Sequence, residues 1–535
     1  MNKKWLRRTA IAALALAVTI VTGCQAIAGL DLNQVLKNAT KVTSVESKST
    51  LELQLELDEE ALAEYDESEA DLYRLLADVK LNLNHIAVED ELNTSLEGSI
   101  ALGDASLPFE LKLSDTAMVL DLEGVKEPIV FELMEEGVLT IGGMEAVPAE
   151  DADQDAEKLA EIGRQVADLI SGYAIDNLPN PSGLTAVPVT ESIGGTPTSA
   201  MKLSFEMDGA QLWDWVQSYL TALTDDRDEL ASVIEKVLEL LQQNPVYWES
   251  LEMMNPFESD VLDAPTVGDM ANQAADEIIA LIETLQEDTE LTDEERELAS
   301  EMMALRADVY VDYQLNIRKQ AWEFNYRQDP SAAEEADPGD EEFYVERPFF
   351  KGLTVKSTSE HWNIGGAVKA KEAVKPDNAL AVEDLEYLSG YEFLKQHVDK
   401  KSDLYDLLKN KLHITRQTYS AYSDDYFNPP ILLPNYHTIV ALRDVAEAFG
   451  ATVTYHAPTR QVSVYDEITD TRIVVKVGSD IAKVNGVEQA WPTTVTSIDG
   501  VTYVPARKLA EALGADIKWE TIYDDWKVLT ITREP

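Results

Sequence analysis

Residues 51–58 alternate strictly between apolar and polar. Leu51, Leu53, Leu55 and Leu57 fall on one side, and Glu52, Gln54, Glu56 and Asp58 on the other. A period of two is the mark of a strand with one wet face. The same pattern returns in Val79–Asn84, in Leu107–Leu113, and through Met118, Leu120 and Leu122. Successive strands of this kind predict an antiparallel meander covered on one side. The period then changes. Leu159, Ile162, Val166, Leu169 and Ile170 form an apolar stripe at helical spacing. So do Leu212, Trp215, Val216, Tyr219 and Leu223; Leu230, Val233, Ile234, Val237, Leu238 and Leu241; and Ile278, Leu281, Ile282 and Leu285. Such stripes predict helices that pack on a core. Thr292-Asp293-Glu294-Glu295 has the form of a capping box opening another helix. Strand character resumes over Val309–Ile317, Trp322–Tyr326 and Leu353–Ile364, with an acidic loop at Asp329–Glu342. The predicted class is α+β: a large antiparallel sheet with inserted helices over 40–375, the helical insertion at about 209–305. Two separate domains over the same span are the alternative. A helical connector is expected over 376–428, ending at Asn428-Pro429-Pro430.

The first 24 residues are of another kind. Lys3, Lys4, Arg7 and Arg8 precede an apolar run from Thr9 to Ile20, which closes on Val21-Thr22-Gly23-Cys24. A basic head, a short apolar middle and small residues before a cut describe an export signal. Cys24 is the sole cysteine of the sequence. The pattern resembles a type II lipoprotein signal, with Val21, Thr22 and Gly23 as the lipobox. That resemblance implies cleavage before Cys24, fatty-acyl (palmitate-type) chains on it, and a lipid anchor at the extracytoplasmic face of the cell membrane. Residues 24–39 then serve as a tether.

The C-terminal end contains a duplication. Residues 438–455 and 502–519 align at a fixed offset, with eight of the eighteen pairs identical. Each copy reads as a strand, a short helix (Leu442, Val445, Ala446 and Phe449; then Leu509, Ala510 and Leu513), a glycine at the helix end (Gly450, Gly514), and a second strand ending in Tyr455 or Trp519. A hairpin partner follows at Gln461–Tyr465 and Lys527–Thr532. Val504-Pro505-Ala506-Arg507-Lys508-Leu509-Ala510-Glu511-Ala512-Leu513-Gly514-Ala515 resembles the hallmark of the copper amine oxidase-like N-terminal domain, or stalk domain; the first copy departs from it with Ala441 in place of proline. The resemblance covers about 429–535. It implies a twisted antiparallel sheet wrapped around helix, a small duplicated strand-helix-hairpin domain of secreted bacterial proteins. In amine oxidases the copper and quinone belong to a separate catalytic domain, which needs a His-x-His pair and a tyrosine between Asn and an acid. Here Asn435-Tyr436 is followed by His437, and the six histidines include no such pair. Arg443 and Arg507 recur at one repeat position. Each either anchors its helix or contacts a ligand. Trp491, Trp519 and Trp526 crowd the last repeat, where core packing and stacking on the sugar rings of a wall glycan are both open.

Charge narrows the function further. The chain carries 99 acidic and 43 basic residues, a net charge of −56, and about −60 after loss of the basic leader. Such a chain repels nucleic acid and anionic headgroups. With 45% hydrophobic residues it still builds cores, and with one cysteine it does so without internal disulfides. Asp151–Asp155 begins like a calcium loop, but Ala156 replaces the turn glycine and Ile162 the closing glutamate. Phosphate loops, zinc spacings and nucleophile elbows are missing from the sequence, so no cofactor, metal or catalytic residue is expected. Lys37–Leu57 resembles the leader of LolA/LppX-like half-barrel lipoproteins, in which an antiparallel sheet curls around helices. Two functions follow as expectations. One is a non-catalytic surface lipoprotein whose stalk-type domain binds a wall polymer or envelope protein. The other is a carrier or sensor holding an apolar ligand, a lipid, against Leu51, Leu53, Leu55, Leu57, Leu81, Leu83, Phe109, Leu111 and Leu113.

Overall fold

The computed structural model describes residues 29–535 except 64, 66, 91, 133, 136–137, 142–143, 147–151, 245–265, 290, 329–348, 386–387, 424, 426 and 524–525. The lipobox with Cys24 lies outside the described residues, as do the acidic loop at 329–342 and the side chains of Asp151–Asp155. The chain divides into two compact units, Met1–Glu386 with Lys401–Leu404, and Tyr387–Lys400 with Tyr405–Pro535. The segment 376–428 is therefore shared between them.

The first unit is built on a 12-stranded sheet. Its strands are β1 (Val45–Leu57), β2 (Asp78–Val88), β3 (Thr94–Leu102), β4 (Ala105–Leu113), β5 (Ala117–Leu122), β6 (Ile129–Glu132), β7 (Thr185–Ile193), β8 (Thr196–Asp208), β9 (Met303–Val311), β10 (Ile317–Arg327), β11 (Phe350–Trp362) and β12 (Leu380–Ala381). Their order is β7-β8-β9-β10-β11-β1-β2-β3-β4-β5-β6-β12. Two antiparallel meanders thus join at β1 and β11, where Ser49 faces Ser359 and Leu53 faces Val355. The short β12 alone runs parallel to its neighbour, β6.

The strand alternation puts opposite chemistry on the two faces. One row on the polar face reads Glu206, Arg306, Glu323, Lys356, Glu52, Lys80 across six adjacent strands. The charges alternate in sign at every step. Glu206 pairs with Arg306 at 3.0 Å, Glu323 with Lys356 at 3.3 Å, and Glu52 with Lys80 at 2.5 Å. In a chain so rich in acids, scarce cations are placed where they fix strand register. The five strands from β7 to β11 also roll up. At the hairpin tip between β7 and β8, the Gly194 N–H donates to Glu360 on β11 at 3.1 Å. Lys319 on β10 reaches Glu191 on β7 at 2.6 Å.

Helices accompany the rolled half. They are α1 (Leu32–Ala39), α2 (Ala152–Asp176), α3 (Gly209–Asp225), α4 (Arg227–Gln242), α5 (Val267–Asp288) and α6 (Asp293–Met302). Of these, α1, α3 and α6 lie on its apolar face, and the others pack on helices. Leu32 and Val35 of α1 pack on Leu203, Val309 and Val311. Leu212 of α3 packs on Phe205, Met207, Leu305 and Ala307. The capping box at Thr292 forms as its sequence requires, the hydroxyl accepting from Glu295 N–H and the Glu295 carboxylate accepting from Thr292 N–H. The stripe expected on α5 is corrected. Ala271 and Ala275 are the buried residues, while Ile278, Leu281 and Leu285 are exposed, Leu281 by 60%. Small side chains let α5 approach Leu230 and Ala231 of α4 closely, which turns the larger residues outward.

The second unit holds the duplication. Its strands are β13 (Gln417–Tyr422), β14 (Ile431–Leu432), β15 (Thr438–Ala441), β16 (Thr452–His456), β17 (Gln461–Asp466), β18 (Thr471–Lys476), β19 (Ile481–Val484), β20 (Val487–Ala490), β21 (Thr496–Ile498), β22 (Val501–Pro505), β23 (Asp516–Tyr523) and β24 (Trp526–Arg533). They make three small sheets, β13-β24-β23, β14-β15-β22-β21 and β16-β17-β18-β19-β20. The repeat helices are α7 (Leu442–Ala448) and α8 (Ala506–Ala512). The lead strands of the two copies pair antiparallel, with Val440 opposite Val504, the same position in each copy. The duplication is therefore folded as a local two-fold. Both helices enter one core with Leu442, Val445, Phe449, Leu509 and Leu513 fully buried. The whole chain is α+β, as the periodicities predict.

Candidate functional site

The two-fold of the second unit is closed by one buried cation. Arg533, at the end of β24, donates through Nη2 to the Phe449 carbonyl at 3.0 Å and through Nη1 to the Leu513 carbonyl at 3.1 Å. Phe449 and Leu513 are the C-caps of α7 and α8. Helix ends leave carbonyls unpaired and carry partial negative charge, so one guanidinium satisfies both copies at once. Arg533 Nε donates to Gln417 at 2.7 Å, and the guanidinium lies 4.8 Å from the Phe449 ring centroid. The countercharge is Asp466, which accepts from both terminal nitrogens of Arg533 and from Thr469 Oγ1 at 2.6 Å. Burial pushes the Asp466 carboxyl up, and the Arg533 guanidinium overrides burial, holding it below the ordinary value. Neither residue was singled out by the sequence, because each occurs only once across the two copies.

Around this core the sequence-predicted contacts are dispersed. Arg443 is exposed and pairs with Glu447 one turn along α7 at 2.6 Å. Arg507 is exposed on α8. Trp491 is buried in the core. The side chain of Trp526 lies outside the described residues. Trp519 is 37% exposed on β23, an edge strand of its sheet, and its indole N–H donates to Thr438 Oγ1 at 3.2 Å. Thr438 begins β15 and faces Leu432 of β14. The turn between these strands is tight: Leu433 N–H donates to the His437 carbonyl and Tyr436 N–H to the Leu433 carbonyl, both at 2.9 Å. Tyr436 at its tip is 89% exposed. Sequence reasoning met Tyr436 only as the neighbour of Asn435; its exposure depends on turn geometry that spacing does not reveal.

Residues 421–524 match the family model of the copper amine oxidase N-terminal domain. This is the non-catalytic domain of those enzymes, and no catalytic domain is matched. No curated protein matches the chain.

In the first unit, the leucine face of β1 to β5 is the other candidate. Leu51, Leu81, Ile100 and Leu107 stand in register on adjacent strands. Leu107 is buried, Leu81 and Ile100 are half-buried, and Leu51 is 40% exposed. A cavity of about 540 Å³ also touches β3 to β5, but Glu97, Glu110, Asp121 and Lys371 line it together with Pro108 and Phe109. Its wall is charged. The hydrogen bonds of Lys371 to Glu110 and Glu97 push the ammonium up to about 12. Among the described residues, no group of three or more His, Cys, Asp or Glu is arranged to hold a metal ion.

Proposed function

We propose that the protein is a non-catalytic surface lipoprotein, anchored through Cys24 and using its stalk-type module to bind a component of the cell envelope, a wall polymer or a protein. The observation that carries this reading is the match of 421–524 to a non-catalytic domain, which here has its own core and an exposed aromatic edge. The basic-apolar leader ending at Cys24 supports the anchor. The acidic surface supports the location: it keeps the body off anionic headgroups while the N-terminus is held.

Two measurements test it. Mass spectrometry of the purified protein should find an acylated Cys24 as the first residue, and Cys24→Ala should release the chain from membranes. The full chain should co-sediment with intact envelopes of the producing cell. Protein that is soluble, unprocessed and free of acyl groups would remove the reading.

A second reading, carriage of an apolar ligand, is favoured by the partly uncovered leucine face around Leu51. An apolar sheet face partly open to solvent is a surface on which an acyl chain would be held. Organic extraction of the purified protein followed by lipid mass spectrometry tests this, and an empty extract argues against it.

A further inference from the structure

We propose that Ser47, Ser49, Ser357 and Gln320 form a head-group subsite beside Leu51, suited to an amphiphile with an uncharged, hydroxyl-bearing head, of the acylglycerol class. The inference rests on the carriage reading and names the ligand class of that sheet face.

Strand register brings these residues together. Between β1 and β11, Ser47 faces His361, Ser49 faces Ser359 and Leu51 faces Ser357. Gln320 of β10 flanks Ser359 on the other side. Directly opposed residues on adjacent strands hold their Cβ atoms about 5 Å apart. Positions two apart on a strand share a face, so the serines, Gln320 and Leu51 lie on one surface. Trp322 confirms which surface this is: it shares a face with Gln320, stands opposite Ser357, and packs on the apolar cluster of Phe205 and Leu305.

Most of the polar atoms in this patch are unmatched by the fold. Ser359 Oγ lies 3.2 Å from His361 Nε2. Among the described residues, the side chains of Ser47, Ser49, Ser357 and Gln320 have no hydrogen-bond partner. An exposed serine is served by bulk water, but Ser47 is only 6% exposed. A hydroxyl that buried is costly unless something pairs with it. The fold does not pair it, so the partner comes from outside.

Hydrocarbon surface begins where the hydroxyls end. Leu51, Leu81, Ile100 and Leu107 carry the same face across β1 to β4, a width of roughly 14 Å. Hydrogen-bonding groups and leucines thus lie side by side, in the order of an amphiphile's head and tail. A plain hydrocarbon would leave the hydroxyls unmatched. A charged head would find no counter-ion. Burial, and then Arg318, push the His361 imidazole down, so it stays neutral. Arg318 is itself engaged, by Asp312 at 3.1 Å and by the His361 carbonyl at 3.0 Å. Glycerol hydroxyls both donate and accept, which suits serine and glutamine together.

The test uses the full chain, extracted free of lipid and loaded with the neutral fluorophore Nile red. The competitors are monopalmitoylglycerol and palmitate, which share one tail and differ in head, each kept below its micellar concentration. Monopalmitoylglycerol should displace the fluorophore at a concentration lower than palmitate by about tenfold or more. Ser47→Ala combined with Ser49→Ala should erase that preference while leaving palmitate binding unchanged. The urea midpoint of the double variant should not fall, since neither hydroxyl has a protein partner to lose. Any other ranking in the wild type, or a double variant that keeps the preference, overturns the proposal and leaves carriage of an apolar ligand standing. A chain that binds neither the fluorophore nor the competitors removes both.

Discussion

Arg533 and Asp466 form a salt bridge in which each side chain is 1% exposed. The pair is not an isolated charge bond, because Arg533 also occupies the C-terminal carbonyls of both repeat helices. Removing Arg533 leaves a buried carboxylate and two unpaired carbonyls; removing Asp466 leaves a buried cation. Either Arg533→Met or Asp466→Asn should cost about 3–5 kcal/mol. The double substitution should cost less than the sum. A double-mutant cycle by urea denaturation, followed by tryptophan fluorescence, checks the coupling.

The same pair sets an acid limit. Asp466 has its carboxyl held below its ordinary value of 3.8. Its contribution is therefore complete above that value and is lost as pH falls through the lower folded value. The wild-type urea midpoint for the second unit should fall steeply below about pH 4. Asp466→Asn, which has no charge to lose, should fall less over the same interval. Equal acid sensitivity of the two proteins would contradict this assignment.

Gly450 and Gly514 end the two repeat helices with the same φ of 69°. A Cβ at Gly514 meets nothing within 4 Å, and one at Gly450 only reaches Gln417 Nε2 at 4.0 Å. Space is not the constraint, so an alanine should cost backbone strain alone, about 1 kcal/mol at each site. Equal losses in chemical denaturation would show that the local two-fold extends to energetics.

In the alternating row of the large sheet, Glu323 stands between Arg306 and Lys356. Glu323→Lys places three like charges on adjacent strands. It should destabilise the sheet by roughly 0.5–1 kcal/mol at low ionic strength, with part of the loss recovered by added salt. Glu323→Gln should lose less and respond little to salt.

The two ends of the apolar face should respond differently to truncation. Met207, buried beneath α3, should lose about 2–5 kcal/mol on change to alanine. Leu51, partly open to solvent, should lose under about 1 kcal/mol. If Leu51→Ala proves as costly as Met207→Ala, the face is covered in solution.

The sequence was most legible where one period ran unbroken. Leu51 to Leu57 gave a strand, Thr292 to Glu295 a capped helix start, and the repeated Ala-Glu-Ala-x-Gly-Ala both helices of the duplication with their glycine ends. It was less legible where packing distance decided the outcome. On α5 the pattern favoured Ile278, Leu281 and Leu285 as core, but Ala271 and Ala275 lie inside because neighbouring helices come close. The closure of the second unit escaped detection for another reason. Arg533 belongs to neither aligned repeat segment, so comparing the copies could not find it.

The pairing of β1 with β11 bears on how the polypeptide reaches its native state. A ribosome delivers Val45–Leu57 long before Phe350–Trp362 emerges. Until then β1 offers an open hydrogen-bonding edge in the middle of the future sheet, a hazard for self-association. Each meander can zip locally, but the seam between them is a late, non-local event and should set the pace of assembly.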